Sequence, residues 1–359
     1  MGLEPTGKSG LTVTDHPIDA GIRGVSIFDT PGIAFSVALA GNLALVADFH
    51  KGLRVIQLSS LDRPRELSFY DTPDLARGVA AYGNLGLVAD GFAGLRVIDI
   101  SNSRNPRDVG LYDVPGFVFG VVTYGNLALV AGGVAGLRVI DISAPSTPRE
   151  VGFVDTPGAA LGVAVSGNLA LVADADEGLR VIDLSDPANP REMGFLDTPG
   201  PAIGVAAYGS LVLLADGYGG LRVIDISDPT RPEAVASLRT PSYASGVAVS
   251  GHLALVSDWL GGLRVIDLSV PTSPREVGFV DTPGLAVGVA AAGSLALVAD
   301  FDTGVVIVWL PAIVQVAGTV APRRQTGGPD AIITLERMLK KGCAEGRSPL
   351  PGVWGCPPD

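Results

Sequence analysis

The segment Gly94–Ser101, GLRVIDIS, returns at Gly136–Ser143, and as GLRVIDLS or GLRVIDIS at Gly178, Gly220 and Gly262. A near copy, GLRVIQLS, opens at Gly52, and a worn one, GVVIVWL, at Gly304. Each step is 42 residues, without insertion or deletion. A strict period outranks length as a guide to organisation, because copies of one supersecondary unit pack as a single body.

One repeat, Thr156–Asp197, reads TPGAALGVAVSGNLALVADADEGLRVIDLSDPANPREMGFLD. It holds four β-type runs, Gly162–Ser166, Leu169–Asp174, Gly178–Leu184 and Glu192–Asp197, rich in Val, Ile, Leu and Phe. The first link, SGN, suits a tight hairpin with positive φ, and the second, ADEG, ends in glycine. The third, SDPANPR, carries prolines that a ladder excludes. Each repeat therefore reads as a four-stranded antiparallel meander. Leu179 and Val181 point to one face, Arg180 and Ile182 to the other, so both faces carry apolar residues and both need cover. The first run is built of Gly, Ala and Val, small enough for the crowded centre of a radial array. Four strands per repeat, a 42-residue period and seven copies predict an all-β, seven-bladed β-propeller. A linear solenoid is the competitor, but it needs polar end repeats, and repeats one and seven are as apolar as the rest.

The phase of the repeat predicts how the ring closes. The seventh set, from Gly288, breaks pattern at Pro311 before its fourth strand. RGVSIFDTPG from Arg23 aligns with REVGFVDTPG from Arg149 after a shift of 126 residues, three periods, so an orphan fourth strand stands at the N-terminal side. It is expected to complete the last blade and remove an open edge. AIVQVAGTV, Ala312–Val320, is the rival for that edge. The organisation expected is an N-terminal arm over 1–22, a propeller over 23–310 and a tail over 311–359 with a short helix near 330–341, capped by Asp330 and ended by Gly342.

GLRVIDIS-x-P-x-x-P-R-x-V-G, followed by DTPG and GVAVSGNLALVAD, resembles the LVIVD-repeat proteins over Arg23 to about Leu310, with all seven repeats in register. The resemblance implies propeller architecture and an extracellular or cell-surface home. It implies no reaction, and apart from the calcium candidate below no cofactor is expected.

Of 359 residues, 47% are apolar and 17% charged, which excludes a disordered chain. A net charge of −12 with no basic stripe argues against nucleic acid. No run reaches the ~18–20 apolar residues of a membrane span. The opening MGLEPTGKSGLTVTDHPIDAG lacks the apolar core of a signal peptide, which leaves a cytosolic protein or a signal already removed. The two cysteines, Cys343 and Cys356, are either free thiols or close a short loop by a disulfide in an oxidising compartment.

Arg54, Arg96, Arg138, Arg180, Arg222 and Arg264 share one position of the third strand, and Asp71, Asp113, Asp155, Asp197, Arg239 and Asp281 follow 17 residues later. That spacing places each pair roughly opposite across the hairpin. A second acid, such as Asp48 or Asp174, stands six residues before the arginine. Six copies of one charge cluster read as scaffold, an Arg held between carboxylates. Two positions depart: Arg222 would face Arg239, and Gly132 replaces the second acid of repeat three.

The loops before the first strand and after the second fall on one face of a propeller, and they vary while the strands do not. Phe35, His50, Lys51, Arg77, Phe119 and Trp259 are the candidate ligand-binding residues there, with Phe49, Phe92 and Phe117 close by in the loops. Aromatic and cationic groups together suit an anionic or sugar-like ligand or the acidic loop of a partner protein, and a protein or glycan is the expected partner. Asp174, Asp176 and Glu177 are a candidate metal set, with alternate oxygens that could take Ca²⁺, although the full calcium-loop pattern is absent. Enzyme signatures are thin: His16, His50 and His252 fall in three different places, and no GxSxG is present. The expected function is a non-enzymatic binding platform. A hydrolase or lyase acting at the channel mouth and a structural assembly module are the alternatives.

Overall fold

The structure is a computed structural model that describes residues 25–58 and 63–310. The expected arm, the tail helix, the rival strand at Ala312–Val320, His16 and both cysteines lie outside the described residues. Within them the chain forms seven four-stranded antiparallel sheets. Six sheets take their strands in sequence order, from the first at Ser36–Ala40 to the outer strand of the sixth at Arg275–Val280. The seventh joins Gly288–Ala292, Leu295–Ala299 and Val305–Trp309 to Val25–Phe28. Val25 pairs with Val308 and Phe28 with Val305, so the N-terminal strand closes the ring as expected.

Each sheet feeds two cores. In blade 4, Leu171, Ala173, Leu179 and Val181 pack with Val212, Leu214 and Ile224 of blade 5. Ala170, Val172 and Ile182 turn the other way, onto Leu129, Leu137 and Val139 of blade 3. Each such aliphatic side chain contributes roughly 1.5–3 kcal/mol when fully buried, and the two-sided pattern repeats around the ring. The last core joins Leu297, Ala299, Val305 and Ile307 of blade 7 to Ala34, Val37, Val46 and Ile56 of blade 1, which rules out the linear solenoid.

Small residues make the radial geometry possible. A Cβ at Gly204, which opens the first strand of blade 5, would stand 2.7 Å from Gly246 Cα and 2.8 Å from Ser245 O of blade 6. The same holds where blade 7 meets blade 1, with Gly288 2.6 Å from Phe35 O by the same measure. Inner strands thus approach backbone to backbone. The hairpin glycines of SGN and its variants take the left-handed conformation, as at Gly167, φ 60°. The third and fourth strands are offset by a bulge in the first six blades, as between Val181, opposite Gly194, and Ile182, opposite Glu192. Among the described residues no helix is long and apolar enough to cross a membrane.

Candidate functional site

The recurring charges are scaffold, with partners that differ from the expected ones. Asp48, Asp90, Asp174, Asp216, Asp258 and Asp300 end the second strands and are fully buried. Each accepts a hydrogen bond from the backbone N–H of the third residue of the Thr-Pro-x turn that leads into its own blade. Thr156 Oγ1 donates to Asp174 at 2.5 Å and Gly158 N at 2.9 Å, and Thr240 Oγ1 and Ser242 N do the same for Asp258 at 2.6 and 2.9 Å. The third-strand arginine then sits beside the same carboxylate, as Arg54 does with Asp48 at 3.4 Å. On its other side it meets the acid two residues into the fourth strand: Glu66, Asp108, Glu150, Glu192 or Glu276. Its outer face is covered by an aromatic ring in four blades, Phe69, Phe153, Phe195 and Phe279, at 4.3–4.8 Å.

The acids expected opposite the arginine lie just past the fourth strand: in the observed register Phe69, not Asp71, stands opposite Arg54. Only Asp155 and Asp197 still reach their arginines, at 3.2 and 3.8 Å. Arg222 stands opposite Ser237, not Arg239, and bonds Asp216 through Nε. Repeat three departs twice, in concert. Gly132 replaces the buried acid and Val114 replaces the threonine that would bond it, so an apolar pair fills the place of a hydrogen-bonded one. Arg138 there donates instead to Ala135 O, at 2.9 Å. In blade 7 it is the arginine that is missing: Val306 stands in its place, and burial pushes the Asp300 carboxyl up to about 6, against the hydrogen bond from Gly284 N.

The loop face is laced together by backbone. The residue after each buried acid, or after Gly132 in blade 3, bridges to the segment leading into the next blade: Phe49 with Ala76, Gly91 with Val118, Gly133 with Ala160, Ala175 with Ala202, Gly217 with Ala244, Trp259 with Ala286 and Phe301 with Ala34. The loops before the first strand and after the second therefore meet on one face, as the sequence predicts. That bridging position is left-handed in every blade. Three blades use glycine there, but Phe49, Ala175, Trp259 and Phe301 hold φ of 49°, 50°, 40° and 52°. A side chain in that region costs about 1–2 kcal/mol relative to the right-handed one.

The three large side chains held there build two aromatic arcs. On blades 7 and 1, the ring of Phe35 lies 5.0 Å from Phe49 and 5.6 Å from Phe301, and Phe49 stacks edge-on to the exposed His50 at 4.4 Å. Arg77 extends this arc: its guanidinium carbon is 3.9 Å above the Phe35 ring and 5.6 Å from Phe119. Phe119 continues to Phe117 at 4.7 Å, and Phe117 to the exposed Phe92 at 5.0 Å. The second arc, on blades 5 and 6, runs from exposed Tyr218 to Tyr243 at 4.8 Å and on to Trp259 at 4.3 Å. Five of the six predicted ligand residues thus stand in or beside the first arc, with Lys51 exposed at its edge, while Trp259 belongs to the second. Phe301, Tyr218 and Tyr243 were missed. Aligning the loop column shows glycines at 91, 133 and 217 facing Phe49, Trp259 and Phe301, and that contrast marks the left-handed position.

Asp174, Asp176 and Glu177 do not converge. The Asp174 oxygens are taken by Thr156, Gly158 and Arg180, Glu177 turns to Arg180 at 3.1 Å, and Asp176 faces solvent. Among the described residues, no three His, Cys, Asp or Glu side chains are grouped to hold a metal ion.

The LVIVD repeat model matches seven consecutive segments, residues 31–72, 75–114, 115–156, 157–198, 199–240, 241–282 and 283–308. No curated protein matches the chain. Among solved structures, the computationally designed protein Ika8 is similar at 13% identity, with a TM-score of 0.58 over 79% of this chain and 98% of that one, a likeness of fold alone.

Proposed function

The chain belongs to the LVIVD-repeat family, and we propose that it is a non-enzymatic binding platform that recognises a protein or glycan through the loop face of the propeller. One observation carries this reading: bulky aromatic residues are held in a strained backbone conformation at a position where sister blades use glycine. Strain of this kind persists where the surrounding structure enforces it, and it concentrates at ligand-contacting sites. Here it holds aromatic rings at the face where the loops vary. Phe49 and Trp259 are themselves buried and form the floor of the two arcs, while the exposed Phe92, Tyr218, His50 and Lys51 beside them suit stacking on sugar rings or on the side chains of a partner protein.

The test is binding of the immobilised chain to a glycan array and to protein extracts, compared among wild type, Phe49→Gly, Trp259→Gly and the outer-strand variant Phe153→Ser. The loop variants should lose binding while far-UV circular dichroism stays that of the wild type, and Phe153→Ser should bind normally. Binding lost with Phe153→Ser and kept in the loop variants would move the platform to the rim and overturn the assignment.

A further inference from the structure

Among the arginines of the blade interior, Arg77 is the exception. Arg54, Arg96, Arg138, Arg180, Arg222 and Arg264 each lie within ion-pair distance of at least one carboxylate. Arg77 has none among the described residues; Nη1 is closed off from solvent and has no hydrogen-bond partner. Its surroundings are two phenyl rings; the same position holds Leu161 and Val287 two blades away on either side, and Ile203 and Ser245 across the axis, with the Ser245 hydroxyl donating to Val287 O at 3.0 Å. Burial lowers its pKa to about 10, so it remains charged at neutral pH but at a cost. Ring contact offsets part of that cost; a carboxylate would offset far more, because hydrogen bonds to charged groups are the strong ones.

We propose that the channel mouth is a binding site for an apolar monocarboxylate, whose carboxylate is received by the Arg77 guanidinium between Phe35 and Phe119 and whose body rests on Leu161, Ile203 and Val287. This rests on the loop-face reading and adds to it a small-molecule class. Two features select the class. Leu161, Ile203 and Val287 make the rest of the wall aliphatic and the Ser245 hydroxyl is turned to the Val287 carbonyl, which favours an apolar body over a polyol. The chain carries a net charge of −12, which disfavours polyanions such as phosphates and leaves a single charge as the one the site accepts.

The experiment is a calorimetric titration of the full chain with benzoate, with benzamide as the neutral isostere and inorganic phosphate as the polyanion. Benzoate should bind and the other two should not. Arg77→Met should weaken benzoate about tenfold to a hundredfold, the loss expected for a charge-assisted pair. Arg77→Lys keeps the charge but not the fork, should weaken it less, and serves if the methionine variant does not fold. Benzamide or phosphate binding as well as benzoate, or benzoate binding unchanged in both variants, would overturn the proposal. Phe153→Ser on the outer strand of blade 3 should leave benzoate unaffected; macromolecule binding kept while benzoate fails would remove this site and leave the platform standing.

Discussion

Asp300 permits a quantitative test of the scaffold. It is fully buried, and its blade is the one in which Val306 replaces the arginine that accompanies the other buried acids. Its carboxyl sits at about 6, against 3.8 as the ordinary value. The folded protein therefore holds this proton more tightly than the unfolded chain does, and stability falls as pH rises between the two values. Above about 6 the whole penalty is present: roughly two pK units at 1.36 kcal/mol each, or about 3 kcal/mol. Below about 4 it vanishes. Asp300→Asn removes the charge, and the amide oxygen can still accept from Gly284 N, which now stands 2.8 Å from the carboxylate. Chemical denaturation across pH should show the variant more stable than wild type by about 1–3 kcal/mol near neutral pH, with the difference shrinking to nothing towards pH ~4. Asp258→Asn is the contrast. It leaves Arg264 without the carboxylate that now stands 3.8 Å from Nε, and it should destabilise at neutral pH. A gain for Asp300→Asn that does not change with pH, or a loss at neutral pH, would refute the reasoning.

Three further outcomes follow from the packing. Ala175→Gly relieves a left-handed alanine at φ 50° and should raise stability by about 0.5–1 kcal/mol in thermal or chemical unfolding. Gly204→Ala drives a methyl into the Gly246 backbone, 2.7 Å away, and should cost about 1–3 kcal/mol, lowering the melting temperature. Gly132→Asp alone buries a carboxylate beside Val114 and should destabilise. Adding Val114→Thr should recover at least about 1 kcal/mol, read as the coupling energy of a double-mutant cycle.

The fold was legible because the repeat states its own period and each blade shows both of its apolar faces in plain alternation. Even the closing strand could be placed, since RGVSIFDTPG keeps the phase of a fourth strand that the seventh repeat lacks. The ion pairs were only half legible. Counting 17 residues along a hairpin assumes a turn at the midpoint, whereas the observed register sets Phe195 opposite Arg180, so Asp197 falls past the strand and Glu192 takes the inner ion-pair role. Spacing also shows only which carboxylates are near in sequence, not that Thr156, Gly158 and Arg180 already contact Asp174. The first aromatic arc was read from loop composition, but the Phe301 contact depends on blades 7 and 1 adjoining across the closed ring, and the Tyr218–Tyr243–Trp259 arc on the bridge that sets the loop of one blade against the entry to the next. Strain at Phe49 and Trp259 is a backbone property, and it surfaces in sequence only as glycine in the matching column of other repeats.

The strand that seals the ring also sets how the molecule bears load. Val25 and Val308 are partners at one end of the closing pair, and Phe28 and Val305 at the other. The polypeptide therefore arrives and departs at the same end of that short ladder. A pull applied across both flanks opens it like a zipper, one pair at a time, rather than shearing all its bonds together. Tethering through a single flank leaves the seal unloaded, so this propeller is mechanically suited to hang from one attachment and unsuited to serve as a link in a chain under tension.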